Sequence, residues 1–289
     1  MFPASFEYAR PASLEEAISL LRASRGEAKL LAGGHSLLPL MKLRLAEPAK
    51  LIDIGRLTDL AYIRGRDGEV AVGALTTHHT LESSDELRRL APVVAEAAAL
   101  IGDVQVRNRG TIGGSLAHAD PAADLPAVVL ALGAQLVARG PNGQRVIAAD
   151  DFFVDLLTTA LQPDEVLVEV RLPAAQAGTG AAYRKFEHPA SGYAVVGAAA
   201  MVRLAGEGIA AARVALTGVG ARPYRARGVE DALRGKAPTP EVLADAARRA
   251  TEGIEVTGDL HASPDYRAHL AAVYARRALE AAVERARRA

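Results

Sequence analysis

Apolar residues recur along this chain at two different periods, and the change of period marks out its parts. Leu14, Ala17, Ile18 and Leu21 repeat at helical spacing behind Ser13-Leu14-Glu15-Glu16. That string is a capping box, in which hydroxyl and carboxylate satisfy the first free N–H groups of a helix. The spacing predicts a helix to about Ser24. Lys29-Leu30-Leu31-Ala32 and Leu51-Ile52-Asp53-Ile54 are short enough to be strands. Between them Leu37 to Leu45 is an apolar stretch broken by Lys42 and Arg44. Residues 1–55 therefore read as a small α/β subdomain.

From residue 56 to 175 the pattern favours strands and hairpins around buried helices. Tyr62-Ile63-Arg64 and Val70-Ala71-Val72 flank Asp67-Gly68, and Gln135 to Ala138 and Arg145 to Ala148 flank Pro141-Asn142-Gly143. Both are hairpin signals, because the glycine relieves the turn of its steric restriction. Ser84 to Leu100 is predicted as one helix, and Asp124-Leu125-Pro126 as the start of a short buried one. In the strand Glu165 to Leu172, Val166, Val168 and Val170 alternate against Glu165, Leu167 and Glu169. Asp150-Asp151 reads as a strand-end turn. Pro173 to Gly180 is rich in alanine and glycine and is the linker candidate, dividing residues 1–175 from 176–289. Beyond it, Ala181 to Phe186, Ala194 to Leu204 and Ile209 to Leu216 predict a three-stranded antiparallel sheet. Helices follow at about Arg225 to Leu233, Pro240 to Ala250 and Pro264 to Arg287. The fold class is α+β.

Composition removes several function classes. Of 289 residues, 50% are hydrophobic, and 34 lysines plus arginines balance 34 aspartates plus glutamates. A formal net charge of zero speaks against a protein built mainly to neutralise nucleic-acid phosphates. The basic stretch Arg276 to Arg288 reads as the polar face of a helix. With no cysteine, disulfides are impossible and iron–sulfur clusters lack their usual thiolate ligands. The histidines form no zinc pattern, and adjacent His78 and His79 read as loop or helix-start residues. Met1 to Arg10 holds no apolar leader core. The longest apolar runs, Leu125 to Leu132 and Tyr193 to Val202, are too short to span a bilayer. These points lead to a cytoplasmic expectation.

The candidate chemistry lies in two glycine pairs. Ala32-Gly33-Gly34-His35-Ser36, followed by Leu37, and Thr111-Ile112-Gly113-Gly114-Ser115 each set two bare residues beside a small hydroxyl. Such segments can turn backbone N–H groups toward one point and let an anion approach closely. Taken singly, each pair reads equally well as a tight turn. Together they suggest a ligand with a diphosphate held between two parts of one fold. Neither is a dinucleotide fingerprint of the Gly-x-Gly-x-x-Gly kind or a P-loop. The second segment continues through His118, Asp120 and Asp124. The two carboxylates fit helix capping, and equally hydrogen bonding to ribityl or ribose hydroxyls. No Gly-x-Ser-x-Gly elbow and no activated serine occurs, and no catalytic acid or base stands out.

Ala32-Gly33-Gly34-His35-Ser36-Leu37-Leu38-Pro39-Leu40-Met41-Lys42, and Thr111-Ile112-Gly113-Gly114-Ser115 followed by Ala117-His118-Ala119-Asp120-Pro121 and Asp124, resemble the flavin loops of the FAD-binding medium subunits of molybdenum hydroxylases. These are relatives of xanthine dehydrogenase and aerobic carbon monoxide dehydrogenase, the latter being nearest in pattern. Phe6-Glu7-Tyr8, Tyr266-Arg267 and Arg276-Arg277 extend the likeness over essentially the whole chain. The resemblance implies a vanillyl-alcohol-oxidase (PCMH-type) FAD domain in two subdomains, 1–55 and 56–175, and a separate C-terminal domain. It implies FAD held without a covalent bond, by the backbones of Ala32 to Ser36 and Thr111 to Ser115. It places Asp124 near the ribityl or ribose part, and Lys185 and Tyr193 near the isoalloxazine ring. Tyr193 reads equally as a strand residue of the C-terminal core. The resemblance further implies a small partner with [2Fe–2S] clusters, a large partner with molybdopterin, a dimer of heterotrimers, and quinone or NAD as outside acceptor. No nucleic acid is involved, and the complex could bring the chain to the inner face of a membrane. The absence of cysteine departs from relatives such as 4-hydroxybenzoyl-CoA reductase, whose flavin subunit carries an extra cluster. A stand-alone flavin oxidase and a flavin-free scaffold are the competing classes.

Overall fold

The computed structural model describes all residues from Met1 to Ala289. Its first unit is a parallel sheet in the order β1-β3-β2, formed by β1 (Glu7–Ala9), β2 (Ala28–Leu31) and β3 (Lys50–Asp53). Helix α1 (Leu14–Ala23) starts where the capping box places it. Ser13 accepts from the Glu16 N–H, and the Glu16 carboxylate takes the Ala12 N–H at 2.7 Å. Its face Ala17, Ile18 and Leu21 is buried against Ile52. Helix α2 (Leu37–Lys42) follows the first glycine pair.

The second unit has a five-stranded antiparallel sheet in the order β4-β5-β10-β6-β7. Its strands are β4 (Ile63–Arg66), β5 (Glu69–Gly73), β6 (Gln135–Gly140), β7 (Gly143–Ala148) and β10 (Val166–Pro173). The first hairpin turns at Asp67 and Gly68, both at positive φ. A short ribbon, β8 (Phe153–Asp155) with β9 (Thr158–Thr159), lies beside it. One face of the sheet carries the helices α3 (His78–Ser83), α4 (Asp85–Leu90), α5 (Pro92–Ala99), α6 (Val104–Arg109), α7 (Ile112–His118), α8 (Asp124–Leu132) and α9 (Ala149–Phe152). The helix expected over Ser84 to Leu100 is two helices. Pro92 lacks an N–H and forces Ala91 out of the helical region (φ −147°, ψ 62°), so α4 stops there and α5 begins anew. Asp150 lies in the short α9 rather than in a turn, and it ties the sheet to the C-terminal part through Arg213 (2.8 Å) and Arg225 (2.7 Å).

Strand β10 corrects the simple alternation. A bulge between Leu167 and Glu169 shifts its register on β6. Val166 and Val168 then join the core under α1, whereas Leu167, Val170 and Leu172 join the helical core on the other face. Both faces of this central strand are buried.

The C-terminal sheet runs in the order β11-β12-β13-β14, with β11 (Thr179–Glu187), β12 (Ala194–Ala205), β13 (Gly208–Thr217) and β14 (Tyr224–Arg225). The fourth strand exceeds the three expected, because two residues carry no readable alternation. Helices α10 (Arg227–Leu233), α11 (Pro240–Ala247) and α12 (Pro264–Arg288) complete it. Leu270, Ala271, Ala275, Ala278, Leu279 and Ala282 of α12 pack inside, with Arg276, Arg277, Arg287 and Arg288 outside and Arg267 buried against the Val195 carbonyl at 2.8 Å. Tyr183, Ala199 and Ala215 reach through the sheet into the helical core of the preceding part.

Glu96 on α5 pins this junction. It accepts from Arg184 on β11 at 2.5 Å and from Arg285 on α12 at 2.7 Å. Burial pushes its carboxyl up, but Arg285 and Arg184 outweigh it and hold it below the usual range. A depressed carboxylate contributes stability above its unfolded pKa and loses it as pH falls through the folded value. Glu96→Gln should cost about 2 kcal/mol at neutral pH, the scale of a charged hydrogen bond. The difference from wild type should shrink on acidification, as urea unfolding at pH 7 and near pH 3.5 would measure.

Candidate functional site

The two glycine segments meet. A Cβ built on Gly33 would lie 2.1 Å from the Arg109 carbonyl oxygen and 2.8 Å from Gly110 Cα, so only glycine permits this contact between main chains. A Cβ on Gly114 would come 4.0 Å from that of Ala32. The His35 imidazole Nε2 pairs with the Gln105 carbonyl on α6 at 3.1 Å. Together the segments form part of the wall of a cleft of about 770 Å³, within the range of cofactor sites.

The segments contribute unequally. The backbone N–H groups of Gly33, Gly34, His35, Ser36 and Leu37 have no acceptor within the protein. Gly34 is left-handed (φ +80°) and Ser36 right-handed (φ −103°, ψ −51°), so the chain turns sharply here with its donors unpaired. The second segment is the beginning of α7 rather than a loop, and its donors from Ile112 to Ser115 are already used, leaving only that of Thr111 without an acceptor. Ile112 N–H bonds Thr76 O, Gly113 bonds Ala74 O at 2.8 Å, Gly114 bonds the capping Thr111 hydroxyl at 3.1 Å, and Ser115 bonds Thr111 O. Gly113 is required by packing, since a Cβ would stand 2.5 Å from that of Ala74. What Thr111 to Ser115 offers the cleft is hydroxyls, the Thr111 N–H and a bare surface. Lys29 is the sole lysine or arginine lining the cleft. An anion there is therefore met mainly by main-chain donors.

Asp124 lines the cleft and is 5% exposed. It caps nothing, because the N-cap position of α8 is Ala123. Its carboxylate accepts from the Tyr183 hydroxyl at 2.6 Å and pairs with the Lys185 ammonium at 3.0 Å. Burial nevertheless raises it to about 6, against the opposing pull of Lys185 and Tyr183. A buried carboxylate so perturbed in a cleft is a candidate functional position. Asp120 closes a tight turn, accepting from Ala122 N–H at 2.8 Å. Ala119 before it is left-handed (φ +52°) and wholly buried, a strained link of about 1 kcal/mol beside the site.

Tyr193 is not a core strand residue. It precedes β12, is 42% exposed and lines the cleft, facing Ser36 and Asp120. Burial and then Asp120 push its phenol above the ordinary value. Lys185, by contrast, does not line the cleft; its side chain is 2% exposed behind Asp124. Sequence reasoning missed Ile101, Gly102, Ser191 and Gly192, which complete the wall around Tyr193. It also gave no role to His78, which is buried against Gly110 with its Nδ1 unpartnered. Burial, with His35 and Arg107 nearby, lowers this imidazole to about 4, so it is neutral at physiological pH.

Asp124 and His78 impose opposite slopes on stability. A raised carboxyl makes the fold lose stability as pH climbs from the ordinary carboxylate range through about 6, and a lowered imidazole makes it gain over much the same interval. The difference between wild type and Asp124→Asn isolates the first effect. The variant should become relatively more stable as pH rises from 4 to 7, as denaturant midpoints across that range would record.

Known proteins resemble the chain in sequence and in fold. The family model for the FAD-binding domain in molybdopterin dehydrogenase matches residues 4–175, and that for the CO dehydrogenase flavoprotein C-terminal domain matches 181–282. The chain is 45% identical over 282 residues to the carbon monoxide dehydrogenase medium chain of Hydrogenophaga pseudoflava, covering 98% of each. It is 40% identical to the 6-hydroxypseudooxynicotine dehydrogenase complex subunit alpha of Paenarthrobacter nicotinovorans, covering 99% of this chain and 97% of that one. The solved carbon monoxide dehydrogenase from Hydrogenophaga pseudoflava lacking the Mo-pyranopterin moiety superposes with a TM-score of 0.96 at 46% identity, covering 99% of both chains. Full-length likeness of sequence and fold makes this chain a member of the FAD-binding medium subunits of molybdenum hydroxylases, the oxidoreductase family that includes carbon monoxide dehydrogenase.

Proposed function

We propose that the chain works as the electron-transfer flavoprotein of a carbon monoxide dehydrogenase-like complex, with division of labour at residues 1–175 and 176–289. In this reading a small partner carrying [2Fe–2S] clusters delivers electrons, and a large molybdopterin partner oxidises the substrate. An outside quinone or NAD removes the electrons, and the assembly is a dimer of heterotrimers. The observation that carries the reading is the run of unclaimed N–H groups from Gly33 to Leu37, which suits the diphosphate of FAD. When bound, FAD exchanges single electrons on one side and pairs on the other. The chain's own residues bind and orient it. Gly33 to Leu37 hold the diphosphate, with hydroxyls from Thr111 and Ser115. Asp124 meets hydroxyls of the sugar or ribityl chain, and Tyr193 covers a ring face. No acid or base is needed for the incoming leg, consistent with the lack of a catalytic constellation. No helix is long and apolar enough to cross a membrane.

The 40% identity to a subunit of a 6-hydroxypseudooxynicotine dehydrogenase complex favours a second reading of the substrate. The same medium subunit would serve a hydroxylase of an aldehyde, a purine or another N-heterocycle, with the choice made on the large partner.

FAD at a hundred times its dissociation constant should stabilise the chain by about 2.7 kcal/mol. Gly33→Asp and Gly114→Asp should each abolish that shift, the first by forcing the two segments apart at the Arg109 carbonyl and the second by setting a carboxylate beside the diphosphate. Melting curves and flavin absorbance after purification measure both effects, and normal flavin content in the two variants would contradict the assignment. Acid precipitation should release all flavin into the supernatant. Colour held in the pellet would instead mean a covalent bond, with His35 the first place to look. A chain alone that is reduced by a small organic substrate would favour the stand-alone oxidase.

A further inference from the structure

The Lys185 ammonium has three hydrogens and spends them on three separate stretches of chain. It donates to the Leu100 carbonyl at 2.8 Å, to the Gly192 carbonyl at 2.5 Å and to the Asp124 carboxylate at 3.1 Å. Leu100 is the last residue of α5's C-cap and leads into Ile101 and Gly102. Gly192 leads into Tyr193. Ile101, Gly102, Asp124, Gly192 and Tyr193 all line the cleft, and Lys185 itself does not. The walls so joined touch through bare backbone, since a Cβ on Gly192 would lie 3.1 Å from Gly102 Cα. Tyr183, two positions earlier on β11 and therefore on the same side of the strand, brings its hydroxyl to the same carboxylate at 2.6 Å. One strand of the C-terminal domain thus supplies the knot that closes an end of the cleft.

We propose that Lys185 is a positioning residue for the flavin: its ammonium locks the Ile101–Gly102, Asp124 and Gly192–Tyr193 walls in register, so that the cleft is preformed before the dinucleotide arrives. This rests on the cleft being the FAD site. A side chain that only balanced the charge of Asp124 would become dispensable once that charge is removed. A side chain that holds two carbonyls in place would not.

The test is Lys185→Met in the Asp124→Asn background of the full-length chain, with FAD affinity read by flavin fluorescence and ligand-free melting read by circular dichroism. Relative to Asp124→Asn alone, the double variant should bind FAD about tenfold more weakly, a loss of about 1.4 kcal/mol. Its melting temperature should lie nearer that of Asp124→Asn than that of the Lys185→Met single variant does, because no uncompensated buried carboxylate remains. Affinity equal within about twofold in the two chains, or affinity that simply follows melting temperature, overturns the proposal. A second arm stands if the double variant does not fold. Lys185→Ala should regain FAD affinity with propylammonium in the buffer and not with propanol, and equal rescue by both, or by neither, overturns it. A wild-type chain that binds no FAD brings down the cleft assignment itself, and is told apart by being seen before any substitution is made.

Discussion

The backbone N–H groups from Gly33 to Leu37 line the cleft in residues that are not buried, and with no acceptor in the protein they are left for water or a ligand. Most of the architecture around the cleft follows from that deficit. A side chain at position 33 would strike the Arg109 carbonyl, so the donors can be brought against the second segment only with glycine there. With Lys29 alone among lysines and arginines at the cleft, charge neutralisation by side chains is a minor contribution. Preorganised dipoles take its place, and their cost is borne when the chain folds rather than when the ligand binds.

The rest of the site is built by long-range pairing rather than by local turns. Asp124 opens α8 in the first part of the chain, but its partners Tyr183 and Lys185 come from β11. Thr217 at the end of β13 reaches the Pro121 carbonyl at 2.5 Å and that of Ala123 at 2.7 Å. The C-terminal domain is therefore part of the cleft's support. A redox cofactor gains from such rigidity, since the distances its electrons cross are fixed by the frame that holds it.

Sequence periodicity located the elements whose ends carry their own chemistry. Ser13 before α1, Thr239 before Pro240 and Ser263 before Pro264 are caps that act within a few residues. Asp67-Gly68 and Gly143 set hairpins in the same local way. What stayed hidden depends on partners distant in sequence. Strand β1 is three residues long and exists because β3 pairs with it in parallel. Strand β14 exists because Ala215 and Leu216 pair with it. The Gly-Gly of α7 opposes helix formation by propensity, but the Thr111 cap and the contact of Gly113 with Ala74 override it. In the site, the glycine pairs and Asp124 were readable from the residues, and Tyr193 only through the family resemblance. The carbonyl partners of Lys185 were not, because Leu100 and Gly192 act through main-chain atoms that every residue type possesses.

The irregularity in β10 has a bearing on how the molecule comes apart. By inserting one residue between Leu167 and Glu169, the strand gives Val166 and Val168 to the N-terminal lobe and Val170 and Leu172 to the helical lobe. Neither lobe owns a complete interior without that strand. The N-terminal lobe, though small and early in the chain, is thereby denied independence as a folding unit. Solvent exchange at its amides should be governed by the same opening event that exposes the central sheet.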